Sequence, residues 1–198
     1  MANEKKSSNT SETHTSENEL SVKQIVFSAL LESLNEIIGP DGKESIVRFA
    51  GLEKRYANKY LRPSLVKSLP KSDLLKFSNA MNRLLGYGSK AILKEMGRKF
   101  AIYLAPYGYT LNTLVGKLKK WIDGDWDIEI TDINSDKIQI TIINDPFQSK
   151  GDANYLWTGF FEMAATNSSQ EGSQYKTDEK SCSGGLEEPT SFIIEKKM

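Results

Sequence analysis

Histidine is nearly absent from this sequence: its 198 residues contain one, His14, in a stretch dominated by serine, threonine, asparagine and glutamate. A folded body without histidine cannot host a Ser-His-Asp or Cys-His nucleophile system, nor the usual histidine-bearing zinc or iron sites. That weighs against a hydrolase or metalloenzyme, and we expect no metal and no cofactor. Cysteine is as scarce. Cys182 stands alone, so no internal disulfide can form. No apolar run approaches the roughly 18 residues of a membrane-spanning helix, and the N-terminus lacks the apolar core of a signal peptide. The cytoplasm is the expected location. Lys and Arg number 26 against 26 Asp and Glu, so no global field recruits nucleic acid or an anionic membrane.

What is present divides the chain in two. Residues 1–20 hold almost no apolar side chains and cannot offset the entropy of ordering, so they are expected to form a disordered tail. Residues 21–198 are expected to form a single domain. Ser21-Val22-Lys23-Gln24 resembles a capping box, and Val22, Ile25, Val26, Ala29, Leu30, Leu34 and Ile37 then recur at helical spacing until Gly39-Pro40. From Asp41 to Lys71 the pattern is irregular and strongly basic. That segment is either a docking site for an acidic partner or an ordinary charged surface loop. Three amphipathic helices follow, on the stripes Leu74–Leu84, Ile92–Tyr103 and Leu111–Ile122. They are punctuated by Gly86-Tyr87-Gly88, Pro106-Tyr107-Gly108 and Gly124.

The period then changes to two. Trp126, Ile128 and Ile130 alternate with polar residues, and so do Ile138, Ile140 and Ile142 beyond a turn at Asn134-Ser135-Asp136. This predicts a hairpin with one apolar face. A helix from about Asp152 to Thr166 and two strands, near 174–181 and 190–195, complete the chain. The order implies an α+β fold with helices packed on one face of a four-stranded antiparallel sheet.

Several of these residues resemble the 4-vinyl reductase-type small-molecule-binding domain. In that family a strand ends in cysteine, a glycine-containing turn leads to a second cysteine, and an aromatic opens the final strand. Cys182, Thr190 and Phe192 hold those positions here, with threonine in place of the second cysteine. Gly51-Leu52 through Tyr56, Leu85-Gly86-Tyr87-Gly88, Met96-Gly97-Arg98, Asn144-Asp145-Pro146-Phe147 and Gly159 follow in the family's order. The resemblance implies a fold similar to subunits of vesicle-tethering complexes and a homodimer. It also implies a hydrophobic pocket, between helices and sheet, for a hydrocarbon-like or tetrapyrrole-like ligand. An enzyme or accessory factor of tetrapyrrole metabolism and a ligand-free scaffold with a protein partner are the alternatives.

Candidate ligand-contacting residues follow from chemistry as well as resemblance. Gly159 lies mid-helix, where glycine costs about 1 kcal/mol relative to alanine, so something approaches closely: a neighbouring element, a partner or a ligand. Phe160 and Met163 flank it, and Met96, Phe100 and Tyr103 form a similar stripe beside Gly97. Such stripes are usually core, yet a greasy pocket would use the same residues. Arg98 either faces solvent or anchors a ligand carboxylate through its planar fork. Cys182 is either a small filler at a strand end or a ligand-contacting thiol.

Overall fold

A computed structural model describes residues 20–57, 60–85, 90–105, 109–147, 154–169, 172–183 and 188–197, with the backbone alone at 179–183. The expected tail, the Gly86–Gly88 and Pro106–Gly108 turns, the start of the helix at Asp152 and the Cys182 side chain lie outside the described residues. The first described element is a strand, not a helix. Ser21–Lys23 forms β1, antiparallel to β2 (Ser68–Pro70), with Val22 opposite Leu69. The capping box is therefore corrected. The Ser21 N–H and hydroxyl both donate to the Asp123 carboxylate, at 3.1 and 2.7 Å, and the Asp123 N–H returns to the Ser21 carbonyl at 2.9 Å. Committed to Asp123, the Ser21 side chain does not cap the helix that follows.

That helix, α1, spans Gln24–Phe49 and breaks at Gly39, whose φ of 76° and ψ of 172° leave the helical region. Glycine tolerates this conformation, and Pro40 suits the first position of the renewed helix. Gly39-Pro40 thus interrupts the helix, but residues 41–49 are helical rather than irregular. A short α2 (Glu53–Tyr56) leads to β2, and then come α3 (Lys71–Leu85), α4 (Lys90–Leu104) and α5 (Leu111–Trp121). The Thr110 hydroxyl caps α5 by accepting the Thr113 N–H at 3.2 Å.

The remaining elements are β3 (Asp127–Asn134), β4 (Lys137–Ile143), α6 (Tyr155–Ser168), β5 (Tyr175–Ser183) and β6 (Thr190–Lys196). The four strands form one antiparallel sheet in the order β3-β4-β6-β5. Its register aligns the apolar positions in rows across the strands: Ile128 with Ile142 and Thr190, Ile130 with Ile140 and Phe192, and Ile138 with Ile194 and Thr177. These rows face the helices, while Glu129, Gln139, Ser191 and Glu195 occupy the alternate face. The α+β arrangement, helices on one face of a four-stranded antiparallel sheet, is the one implied by the change of period. The β1–β2 pair is additional to it.

Between sheet and outer helices lies α6. It is buried on nearly every side, from Leu156 through Phe161 and again at Ala164 and Ala165, as expected of a central helix. Phe100, Phe147, Trp157, Phe160, Phe161 and Phe192 are at most 1% exposed. Their rings form a continuous chain with centroid separations from 4.9 to 6.0 Å. The Trp157 indole N–H and the Phe147 backbone N–H both donate to Asp145 Oδ1 at 2.9 Å, fixing the end of β4 to α6.

Candidate functional site

The site begins where α4 meets α6. Gly97 and Gly159 face each other at the crossing, backbone against backbone. A Cβ built at Gly159 would lie 1.8 Å from the Lys94 carbonyl oxygen, and one at Gly97 would lie 1.9 Å from that of Leu156. The approach expected of Gly159 is thus made by a neighbouring helix, and no space for a ligand remains beside its Cα. Met96, Phe100 and Phe160, on the inward sides of these helices, are fully buried.

One helical turn along, the close approach places a carboxylate inside a cluster of donors. Glu162 is only 1% exposed. Its Oε1 receives Lys94 Nζ at 2.7 Å and the Thr177 backbone N–H at 2.6 Å, and its Oε2 receives Arg98 Nη2 at 2.8 Å. Lys94 and Arg98 are four residues apart and share one face of α4, so both reach the same acid. Burial alone would raise the Glu162 pKa. The Lys94 hydrogen bond, with those of Thr177 and Arg98, outweighs burial and holds the carboxyl below its ordinary value. The Thr166 hydroxyl accepts the Tyr175 N–H at 3.1 Å. Alternate N–H groups along the edge strand β5 are therefore satisfied by α6 side chains, one way to protect an open sheet edge.

Arg98 is neither free in solvent nor without an anchor: it holds an acid of its own chain. Its second Nη lies 3.3 Å from Glu95 Oε2, and its side chain is 34% exposed. It opens on a cleft of about 210 Å³ lined by Arg98, Glu162, Met163, Thr166, Gln174, Tyr175 and Lys197. Arg98 and Met163, both singled out from sequence, are brought together here. Tyr103 is not part of this group. It lies on another side of α4, where its hydroxyl donates to Glu36 Oε2 at 2.7 Å beside the Lys99–Glu36 pair. The hydrogen bond to Glu36 is the main reason the Tyr103 pKa is pushed up to about 12. Thr190, in the position of the second family cysteine, is buried under the sheet.

Glu162 was missed by reading the sequence. A single acid in the apolar stretch from Tyr155 to Ala165 is a usable signal, because a buried charge requires a partner. Two other clefts lie among the described residues. One of about 330 Å³ sits between the start of α3 and Asn144-Asp145-Pro146. The other, of about 350 Å³, lies between α1 and Tyr60-Leu61. Neither touches a residue singled out from sequence as ligand-contacting.

Solved structures share this fold, and they are H-NOX domains. An oxygen-binding H-NOX domain related to soluble guanylate cyclases aligns with a TM-score of 0.56 at 12% identity, covering 89% of this chain and 95% of the other. An H-NOX variant from T. tengcongensis aligns at 0.56 and 14%, covering 88% and 98%. A structure concerned with heme redox potential and porphyrin distortion aligns at 0.60 and 13%, covering 89% and 95%. No protein-family model and no curated protein matches the sequence. The chain therefore has the H-NOX fold.

These neighbours correct the resemblance to 4-vinyl reductase domains. The features that suggested it have architectural roles: Gly97 and Gly159 form a helix crossing, Arg98 holds Glu162, and Asp145 ties β4 to α6. Such needs recur wherever a long helix is buried against a sheet. No described helix is long and apolar enough to cross a membrane.

Proposed function

We propose that this chain is a small-molecule-binding module on the H-NOX fold, and that its ligand is a short carboxylate with an apolar body. The cleft at Arg98 is the binding site. Heme distortion is a property studied in the H-NOX family, but the described residues include no histidine to hold heme iron. Protein ligands to heme iron are histidine, cysteine thiolate, methionine or tyrosine. The only histidine of the chain, His14, lies outside the described residues. Met81 and Met96 are at most 1% exposed, and Tyr56 is buried with its hydroxyl committed to Asp73 at 2.7 Å. Six aromatic rings fill the space where helices meet sheet.

The observation that carries the reading is the guanidinium of Arg98. It is oriented by a buried carboxylate, partly open to solvent, and set in a cleft that Lys197 lines from another side. Met163 and Tyr175 supply apolar wall, and a few oriented polar groups on such a wall are the usual composition of a ligand site. A volume of about 210 Å³ equals the liquid share of about seven waters, which suits a small acid. All of these residues come from one chain, so binding at this cleft does not need a dimer.

Chemical-shift mapping with butanoate and hexanoate, against the corresponding alcohols, tests the reading. The carboxylates should shift Met163 and Tyr175 resonances, the alcohols should not, and Arg98→Lys should weaken binding about tenfold. Equal shifts from acids and alcohols, or none at these residues, would refute it.

A further inference from the structure

The loop between α2 and β2 holds large apolar side chains in water. Tyr60 is 73% exposed, Leu65 54% and Val66 87%. They do not sit on a loose connection. The first N–H groups of α1 are satisfied by this loop, Gln24 donating to the Lys67 carbonyl at 2.9 Å and Ile25 to that of Ser64 at 3.0 Å. The Gln24 side chain donates to the Arg62 carbonyl at 2.7 Å, and the Ser64 hydroxyl accepts the Lys67 N–H at 3.1 Å. Pinned at three carbonyls, the loop presents Leu65 and Val66 outward as part of its structure. Their exposure is therefore a fixed feature of the folded chain.

The loop itself carries charge of one sign, while Glu32 and Glu44 of α1 line the cleft beside Tyr60 and Leu61. Between Glu53 and Asp73 the sequence contains Lys54, Arg55, Lys59, Arg62, Lys67 and Lys71 and no acid. Arg55 is occupied by Asp73 at 2.6 Å. Arg62 and Lys67, immediately beside the apolar residues, are exposed, and Lys23 reaches the same edge through Ser68 at 3.1 Å. A balanced net charge thus conceals a local cationic patch beside Leu65 and Val66.

We infer that this loop docks the protein on an anionic lipid surface, with Leu65 and Val66 entering the interface and Arg62 and Lys67 lying against the headgroups. Two arguments favour a membrane over an acidic protein. A stable protein interface takes about 20–30 residues from each side, and a loop of a few residues falls far short of that. Peripheral membrane attachment needs only a few inserted apolar groups combined with cations, whose attractions add along a uniformly negative surface. The absence of any acid in the segment matches such a surface better than the mixed charges of a protein partner.

Co-sedimentation of the full chain with phosphatidylcholine vesicles, with and without phosphatidylserine, tests the inference. Binding should require phosphatidylserine and weaken as salt is raised. The pairs Leu65→Ser/Val66→Ser and Arg62→Gln/Lys67→Gln should each lower partitioning on the order of tenfold. Both pairs alter exposed side chains and leave the pinned carbonyls intact, so unchanged circular dichroism and Tm should accompany the loss. Three results would overturn the inference: no preference for anionic vesicles, variants that bind like the wild type, or binding to a polyglutamate peptide without binding to vesicles. The last would assign the loop to an acidic protein partner.

Discussion

Adding one methyl group at Gly159 tests the crossing on which the site depends. A Cβ there falls 1.8 Å from the Lys94 carbonyl oxygen, more than an ångström inside the nearest approach that real Cβ atoms make. The obstacle is backbone, so no rotamer change relieves it and α4 and α6 must separate. Overpacking of this kind typically costs about 1–3 kcal/mol. Replacing a mid-helix glycine by alanine returns up to about 1 kcal/mol of propensity. Separation also stretches the Lys94 and Arg98 bonds to Glu162, so we expect Gly159→Ala to lose about 2 kcal/mol net, and Gly159→Leu more. Gly116 is the internal control. It lies within α5, a Cβ there meets nothing within 4 Å, and Gly116→Ala should gain about 0.5–1 kcal/mol. Urea denaturation should therefore move the midpoint in opposite directions for one and the same substitution, with m unchanged. If Gly159→Ala is as stable as the wild type, or gains like Gly116→Ala, the helices do not touch and a ligand could lie between them.

Glu162→Gln removes the buried charge that compensates two partly exposed cations, Lys94 and Arg98, and should cost about 3 kcal/mol in chemical denaturation. Its charge also sets an acid limit. The folded pKa lies below the unfolded one, so this stabilisation is complete above about pH 4.3 and is lost as the pH falls from there through the lowered folded value; Glu162→Gln should flatten that part of the acid transition. Hemin titrated into the purified chain should produce no saturable one-to-one Soret change. A saturable change that survives His14→Ala would show that the described body holds heme after all.

Regular elements were legible because their signals are local. The alternation of Ile128, Ile130, Ile138, Ile140 and Ile142 specifies both the hairpin and its buried face, and β6 continues the same rows through Phe192 and Ile194. The stripes of α3, α4 and α5 likewise follow from spacing. The β1–β2 pair was not legible, since two strands of three residues each carry too little periodicity. What selects β1 is distant: Asp123 takes the Ser21 hydroxyl, and Ile122 bridges Val22. The glycine at 159 announced a close approach without saying of what. Glu162 could be recognised as an oddity in an apolar helix, but its partners are on α4 and β5, joined only by folding.

The two halves of the candidate site constrain each other. With the Gly97–Gly159 crossing closed and the aromatic chain sealed beneath it, room near α4 and α6 is left at their margin, beside β5. The same Glu162 that orients Arg98 also receives an N–H of that edge strand. On the proposed binding mode, a ligand carboxylate shares Arg98 with Glu162 and draws the guanidinium outward. Glu162 keeps Lys94 and Thr177 on its other oxygen, so the strand remains attached while the balance of bonds to α6 changes. Occupancy of a small surface cleft is thereby coupled to the edge of the sheet through one buried acid, without any ligand entering the core.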